Sequence, residues 1–153
     1  MKKMVTILFA WLLVFSLVAC GAKNGATDGA EGWSEDWGIT LTVRDVSPTG
    51  LTLVCTQSGG IAKGRLETGS AYQLWKEDKD GFREELIPQG EAMWDMMAYV
   101  IAPDATTEWT VDWSWLYGEL GPGTYHISKN IVDFQETGES RSQPYYAKFT
   151  IEE

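Results

Sequence analysis

The stretch Thr107–Tyr117 reads T-E-W-T-V-D-W-S-W-L-Y, and its alternation constrains the fold more than any other feature of the chain. Thr107, Trp109, Val111, Trp113 and Trp115 fall on one parity; Glu108, Thr110, Asp112 and Ser114 fall on the other. Successive side chains of an extended strand point to opposite faces, so the wholly polar set faces water and the tryptophan set faces an interior. Each large ring hides on the order of 150–250 Å² when buried, and several left exposed together make a patch that monomeric proteins rarely carry. The spacing therefore predicts a strand over 107–115 with Trp113 in a core, and Trp109 and Trp115 nearer its ends. A strand buried on one face needs a second layer.

The rest of the chain supplies that layer. Ile39, Leu41, Val43 and Val46 predict a first strand, Ser47-Pro48-Thr49-Gly50 a turn, and Leu51, Leu53 and Cys55 a second strand. The glycine-rich span 58–70 reads as loop. Residues 71–77 and 82–88 read as a hairpin about Asp78-Lys79-Asp80-Gly81. Residues 91–101, with Met93, Met96 and Met97, read as an irregular or short helical start and a strand near 97–102. The last two strands are expected at 124–134 and 145–151, with 138–142 between them as loop. About seven short strands, turns rich in Gly and Pro, and little helix predict an all-β antiparallel sandwich over residues 38–153.

The N-terminus is of another kind. Lys2 and Lys3 precede the apolar run Met4–Val18, too short to span a bilayer comfortably and suited to a signal-peptide core. Leu17-Val18-Ala19-Cys20 resembles a bacterial lipoprotein signal. The resemblance implies cleavage after Ala19, acyl chains such as palmitate on Cys20, and a chain held on the extracytoplasmic face of the cell membrane. A plain secretory leader or an uncleaved anchor are the other ways to use such a segment. Residues 21–37, rich in Gly, Ala and acids, predict a flexible tether with an average span of about 20–25 Å. Trp33 and Trp37 are unexpected in a tether; docking on the domain, lying at the membrane interface and touching a partner are all open to them.

Charge narrows the partners. The chain has 12 basic and 22 acidic residues, a net −10 at pH 7; loss of 1–19 removes Lys2 and Lys3 and leaves −12. Such a domain repels phosphate backbones, so no nucleic acid is expected, and it repels anionic lipid, leaving the acyl chains as the membrane contact. With Cys20 on lipid, Cys55 stands alone, no intrachain disulfide forms, and a buried, inert thiol is expected.

The search for chemistry finds little. No G-x-S-x-G, S-x-x-K, H-E-x-x-H, C-x-x-C, P-loop or G-x-G-x-x-G occurs, and no cofactor or metal is expected. Asp78-Lys79-Asp80-Gly81 begins like a calcium loop, yet the twelfth residue is Gln89 where a bidentate Glu is needed, so a hairpin turn explains it. His126, the only histidine, lies between Tyr125 and Ile127 and is expected on the exposed face of its strand.

The run Tyr117-Gly118, Leu120, Pro122-Gly123, Tyr125, Ile127 and Lys129 resembles a bacterial immunoglobulin-like domain family found on lipoproteins and surface proteins, mostly of Gram-positive bacteria. Gly69, Tyr72 and Leu74, and then Asp80, Gly81 and Phe82, match its earlier runs. The resemblance covers about 38–152 and departs at His126 and Phe82. Independently of it, Tyr125 sits where the hydroxyl of a tyrosine corner bonds the backbone before a sandwich strand. The expected role is a non-catalytic binding module, with Trp75, Trp94, Trp33 and Trp37 as candidate contact residues for a cell-wall glycan or an envelope protein. The alternatives are an inhibitor or accessory subunit of an envelope enzyme or transporter, a small hydrolase using His126, and a plain spacer.

Overall fold

A computed structural model describes residues 35–136 and 138–153. The first sheet is antiparallel, in the order β1 (Ile39–Ser47), β2 (Gly50–Gln57), β7 (Thr106–Asp112). The second holds β3 (Arg65–Thr68), β4 (Gln73–Glu77), β5 (Arg83–Glu85), β6 (Tyr99–Ile101), β8 (Gly123–Phe134) and β9 (Ser140–Ile151). One short helix, α1 (Ser114–Tyr117), leads from β7 toward β8. The two sheets form the expected immunoglobulin-like sandwich. Its strands number nine among the described residues; the short β5 and β6 fall where strands are expected, at 82–88 and 97–102, and β3 is the one the sequence does not announce.

β8 is the spine of the second sheet. β9 pairs along its whole length, from Gly123↔Ile151 to Phe134↔Ser140. On its other edge, Thr124–Ser128 pair with β4 and Ile131–Phe134 pair with β3. The core fills the space between the sheets: Leu41, Leu53, Cys55 and Val111 from one side, Leu74, Ile127, Ala147 and Ile151 from the other. Phe149 stacks against both Trp113 and Tyr125, with centroids at 5.5 and 5.6 Å. Each such apolar side chain, fully buried, stabilises the fold by about 1.5–3 kcal/mol.

Three boundary readings are corrected. Within the expected loop 58–70 lies β3, whose Leu66 and Thr68 point inward; its ladders to β6 and β8 are tertiary and leave only a four-residue alternation in the sequence. The tryptophan strand stops at Asp112. The Asp112 carboxylate accepts the backbone N–H (2.9 Å) and hydroxyl (2.6 Å) of Ser114, which turns the chain into α1. Trp113 is fully buried, its indole N–H donating to the Pro48 carbonyl at 2.8 Å, while Trp115 lies on the helix and is 51% exposed. Trp109 is half-buried, but at the middle of β7 and not near its end, because the strand runs Thr106–Asp112. β9 also begins at Ser140, inside the expected 138–142 loop.

Trp37 belongs to the sandwich and not to a tether. It is 1% exposed, 6.3 Å from the Tyr145 ring, and its indole donates to Glu35. Gln57 locks this entry: its amide donates to the Trp37 and Gly59 carbonyls (3.2 and 2.7 Å) and accepts the Asp104 N–H at 2.7 Å. Gly60 (φ +85°) crosses so closely that a Cβ there would lie 2.3 Å from the Trp37 carbonyl carbon. Cys20 and Trp33 lie outside the described residues.

Candidate functional site

The site follows from the way β8 changes partners. Ser128 is its last residue paired with β4 and Ile131 its first paired with β3, so Lys129 and Asn130 face the crossover 69–72 instead of a strand. The ladder leaves carbonyls there to be served by other donors. The Lys129 ammonium donates to the Gly69 and Ala71 carbonyls, and the Thr68 hydroxyl donates to the Asn130 carbonyl at 2.7 Å. The Lys129 side chain points into the sandwich, 5.3 Å from the Trp109 ring centroid, and burial pushes its ammonium down to about 8. The same burial pushes the Cys55 thiol up to about 11, which suppresses the thiolate as expected of an inert core cysteine.

On the outer side, the crossover leaves a cleft of about 210 Å³. Trp94 and Tyr72 form its aromatic wall; Gln73, Ser128 and Asn130 bring amides and a hydroxyl; Gly69 and Ala71 line the rest. Trp94 is held edge-on between two rings, Tyr72 at 4.9 Å and Trp115 at 5.5 Å. Both of those are fixed by one acceptor, the Asp112 carbonyl, which takes the Tyr72 hydroxyl at 3.1 Å and the Trp115 indole at 2.9 Å. Asp95 sets the loop next to Trp94. It accepts the Met97 N–H (3.2 Å) and the Tyr99 hydroxyl (3.3 Å), and these hydrogen bonds help hold its carboxyl below the ordinary range. Met93, Met96 and Met97 therefore point outward from an ordered turn, with Met96 fully exposed.

Trp75 lies beside the cleft. It is half-buried on the outer face of β4, and its indole donates to the Ser128 hydroxyl at 3.4 Å. Of the four candidate contact residues, the structure thus gathers Trp94 and Trp75 at one place. The ring of Trp37 is enclosed by core and offers no face to a ligand.

The expectation for His126 is corrected. It is 4% exposed, although it lies on the outer face of its strand. The cause is its position on the spine: its cross-strand neighbours are Trp75 on one side and Lys148 on the other, and these large side chains close over it. Its Nε2 lies 2.5 Å from Glu77 Oε2, and Lys148 donates to Glu77 Oε1 at 2.8 Å. Burial pushes the imidazole below its ordinary value, while the Lys148 and His126 hydrogen bonds pull the Glu77 carboxyl down to about 2. The Ser128 hydroxyl, two residues on, meets the Trp75 indole, so His126 and Ser128 are engaged with different partners. Asp78 is occupied by its own turn, its Oδ1 accepting the Asp80 and Phe82 N–H groups at 2.8 and 2.9 Å.

Sequence reading missed Gln73, Ser128 and Asn130, which look like ordinary polar alternates. It also did not read Lys129 and Asp133 as buried, although a signal existed: both are charged residues on the apolar parity of Tyr125, Ile127 and Ile131. Asp133 is fully buried and accepts the Lys63 and Gly64 N–H groups at 3.0 and 2.6 Å.

No curated protein matches the chain. The sequence model described as a bacterial Ig-like domain matches residues 35–150, the same span that builds both sheets, and on that match the chain belongs to the bacterial Ig-like domain family.

Proposed function

We propose that this protein is a lipid-anchored, extracytoplasmic, non-catalytic binding module. Family membership suggests an extracellular interaction module, and the family is typically non-catalytic. The finer reading adds an anchor and a surface. Acyl chains on Cys20 hold the chain at the outer face of the cell membrane, the following residues give it reach, and the sandwich presents the crossover cleft. The observation that carries the binding role is that cleft, where Trp94 stands between Tyr72 and Trp115 beside Gln73, Ser128 and Asn130. Polar groups converging on an aromatic wall, carried by a rigid scaffold, are what a recognition site requires.

Metabolic labelling with an alkyne fatty acid tests the anchor. Label on the wild-type chain in the membrane fraction, lost in Cys20→Ala, is the expected result; an unlabelled wild-type chain sinks it.

A second reading, an accessory subunit or inhibitor of an envelope enzyme or transporter, is favoured by one feature. Met93, Met96 and Met97 stand exposed on a turn ordered by Asp95, and methionine surfaces adapt well to protein partners. In-cell crosslinking from position 96 separates the two, since only an accessory subunit yields one stoichiometric envelope partner.

A further inference from the structure

We propose that the crossover cleft takes a neutral sugar ring, stacked on Trp94 and hydrogen-bonded by Gln73, Asn130 and Ser128. The inference rests on reading the domain as a binding module, and it names the ligand class.

Four observations carry it. None of the seven lining residues is charged, so the cleft offers nothing to an ion. Its volume of about 210 Å³ is below the range of drug-sized sites and suits one ring. The wall is aromatic and the floor bears amides and a hydroxyl. A sugar ring has the matching pair of surfaces, an apolar C–H face and a rim of hydroxyls that both donate and accept. The Ser128 oxygen already accepts the Trp75 indole, so its own proton is left to give.

The fourth observation separates sugar from peptide. A peptide laid on a sheet is held by backbone groups that the sheet has left unpaired. Here the crossover carbonyls are taken from inside: Gly69 and Ala71 by the Lys129 ammonium, Asn130 by the Thr68 hydroxyl. With those three carbonyls served, recognition falls mainly to the Gln73 and Asn130 amides, the Ser128 hydroxyl and the rings.

The test uses the full chain in detergent micelles, titrated with two neutral trisaccharides, of glucose and of N-acetylglucosamine, and with a sugar-free cell-wall stem peptide. Tryptophan fluorescence and saturation-transfer NMR report binding. Saturable binding of at least one trisaccharide is expected, lost in Trp94→Ala and weakened about tenfold by Gln73→Ala or Asn130→Ala, each of which removes hydrogen bonds to the ring. Gln73 and Asn130 are exposed, and Gln73→Ala gives up only an exposed hydrogen bond to Glu85 (3.0 Å), so those two variants are expected to keep the fold and leave the result readable if Trp94→Ala does not fold. No saturable response to either sugar, equal binding in the Gln73 and Asn130 variants, or a response to the stem peptide alone overturns the proposal. The anchor fails separately: sugar binding by a chain that takes no acyl label leaves the cleft standing and removes the anchor.

Discussion

The Tyr125 hydroxyl donates to the Gly121 carbonyl at 2.8 Å, across the turn that leads from α1 into β8. The phenol is buried, its ring packs on Phe149, and the Lys76 ammonium lies 5.6 Å from the ring centroid. No disulfide joins the sheets, so this bond and the aromatic stack pin the end of the spine strand. Tyr125→Phe keeps the stack and removes only the bond. It is expected to cost about 1–3 kcal/mol, because the partner carbonyl loses its donor in a part-buried site. Urea unfolding with an unchanged m-value checks it; a shift below a few tenths of a kcal/mol counts against the corner as a stabilising element.

Two of the three tryptophans of one sequence run, Trp113 and Trp115, are predicted to differ sharply in what they contribute to stability. Trp113 is enclosed, stacked on Phe149 and bonded to the Pro48 carbonyl, so Trp113→Ala is expected to cost about 3–5 kcal/mol. Trp115 is exposed on α1, and Trp115→Ala is expected to cost about 1–2 kcal/mol, the value of its edge contact with Trp94 and its exposed hydrogen bond to the Asp112 carbonyl. Similar losses at both positions, measured by thermal or denaturant unfolding, place the end of the strand beyond Asp112.

That pair also shows where sequence reading stops. Alternation located the long strands β1, β2 and β8 and the inward parity of Trp113, because a half-buried strand writes its burial into every second residue. It carried the strand on through Ser114-Trp115 because the turn made by the Asp112 carboxylate with Ser114 is a local hydrogen-bond choice that leaves the hydrophobic pattern untouched. β3 was invisible for a different reason: four residues between glycines become a strand only because β6 and β8 lie on either side. The cleft depends on β8 exchanging β4 for β3, a property of pairing and not of residue type. Trp75 and Trp94 were legible as candidates from their parity and surroundings; Gln73, Ser128 and Asn130 were not.

Acid is expected to destabilise the domain in two steps. The His126 imidazole is held below its ordinary 6.5 by burial, so as pH falls through 6.5 the unfolded chain takes up a proton that the folded chain refuses, and stability drops. Glu77 is held down at about 2 against an ordinary 4.5, so its contribution is full above 4.5 and lost as pH falls from there toward 2. Thermal midpoints followed from neutral pH downward should fall throughout, and Glu77→Gln should shrink the lower step to what Asp95 and Asp112, also held below their ordinary values by hydrogen bonds, contribute. A flat profile from 4.5 to 2 in the wild-type chain contradicts the Glu77 contacts with Lys148 and His126.

Base should continue the same slope through Lys129. The folded ammonium titrates near 8 and the unfolded one near 10.5, so between those values the unfolded chain binds more protons and stability rises with pH. Cys55 opposes it: the unfolded thiol ionises near 9.0 while the folded thiol holds its proton to about 11, which lowers stability across that interval. The window from 8 to 9 belongs to the lysine alone of the two. Unfolding free energy is expected to rise there, then level off. Cys55→Ala should extend the rise above 9, and Lys129→Met should abolish it while leaving the Gly69 and Ala71 carbonyls without that donor. A wild-type profile that falls between 8 and 9 means that the ammonium reaches water, and that the carbonyls of the crossover are served by something other than a buried lysine.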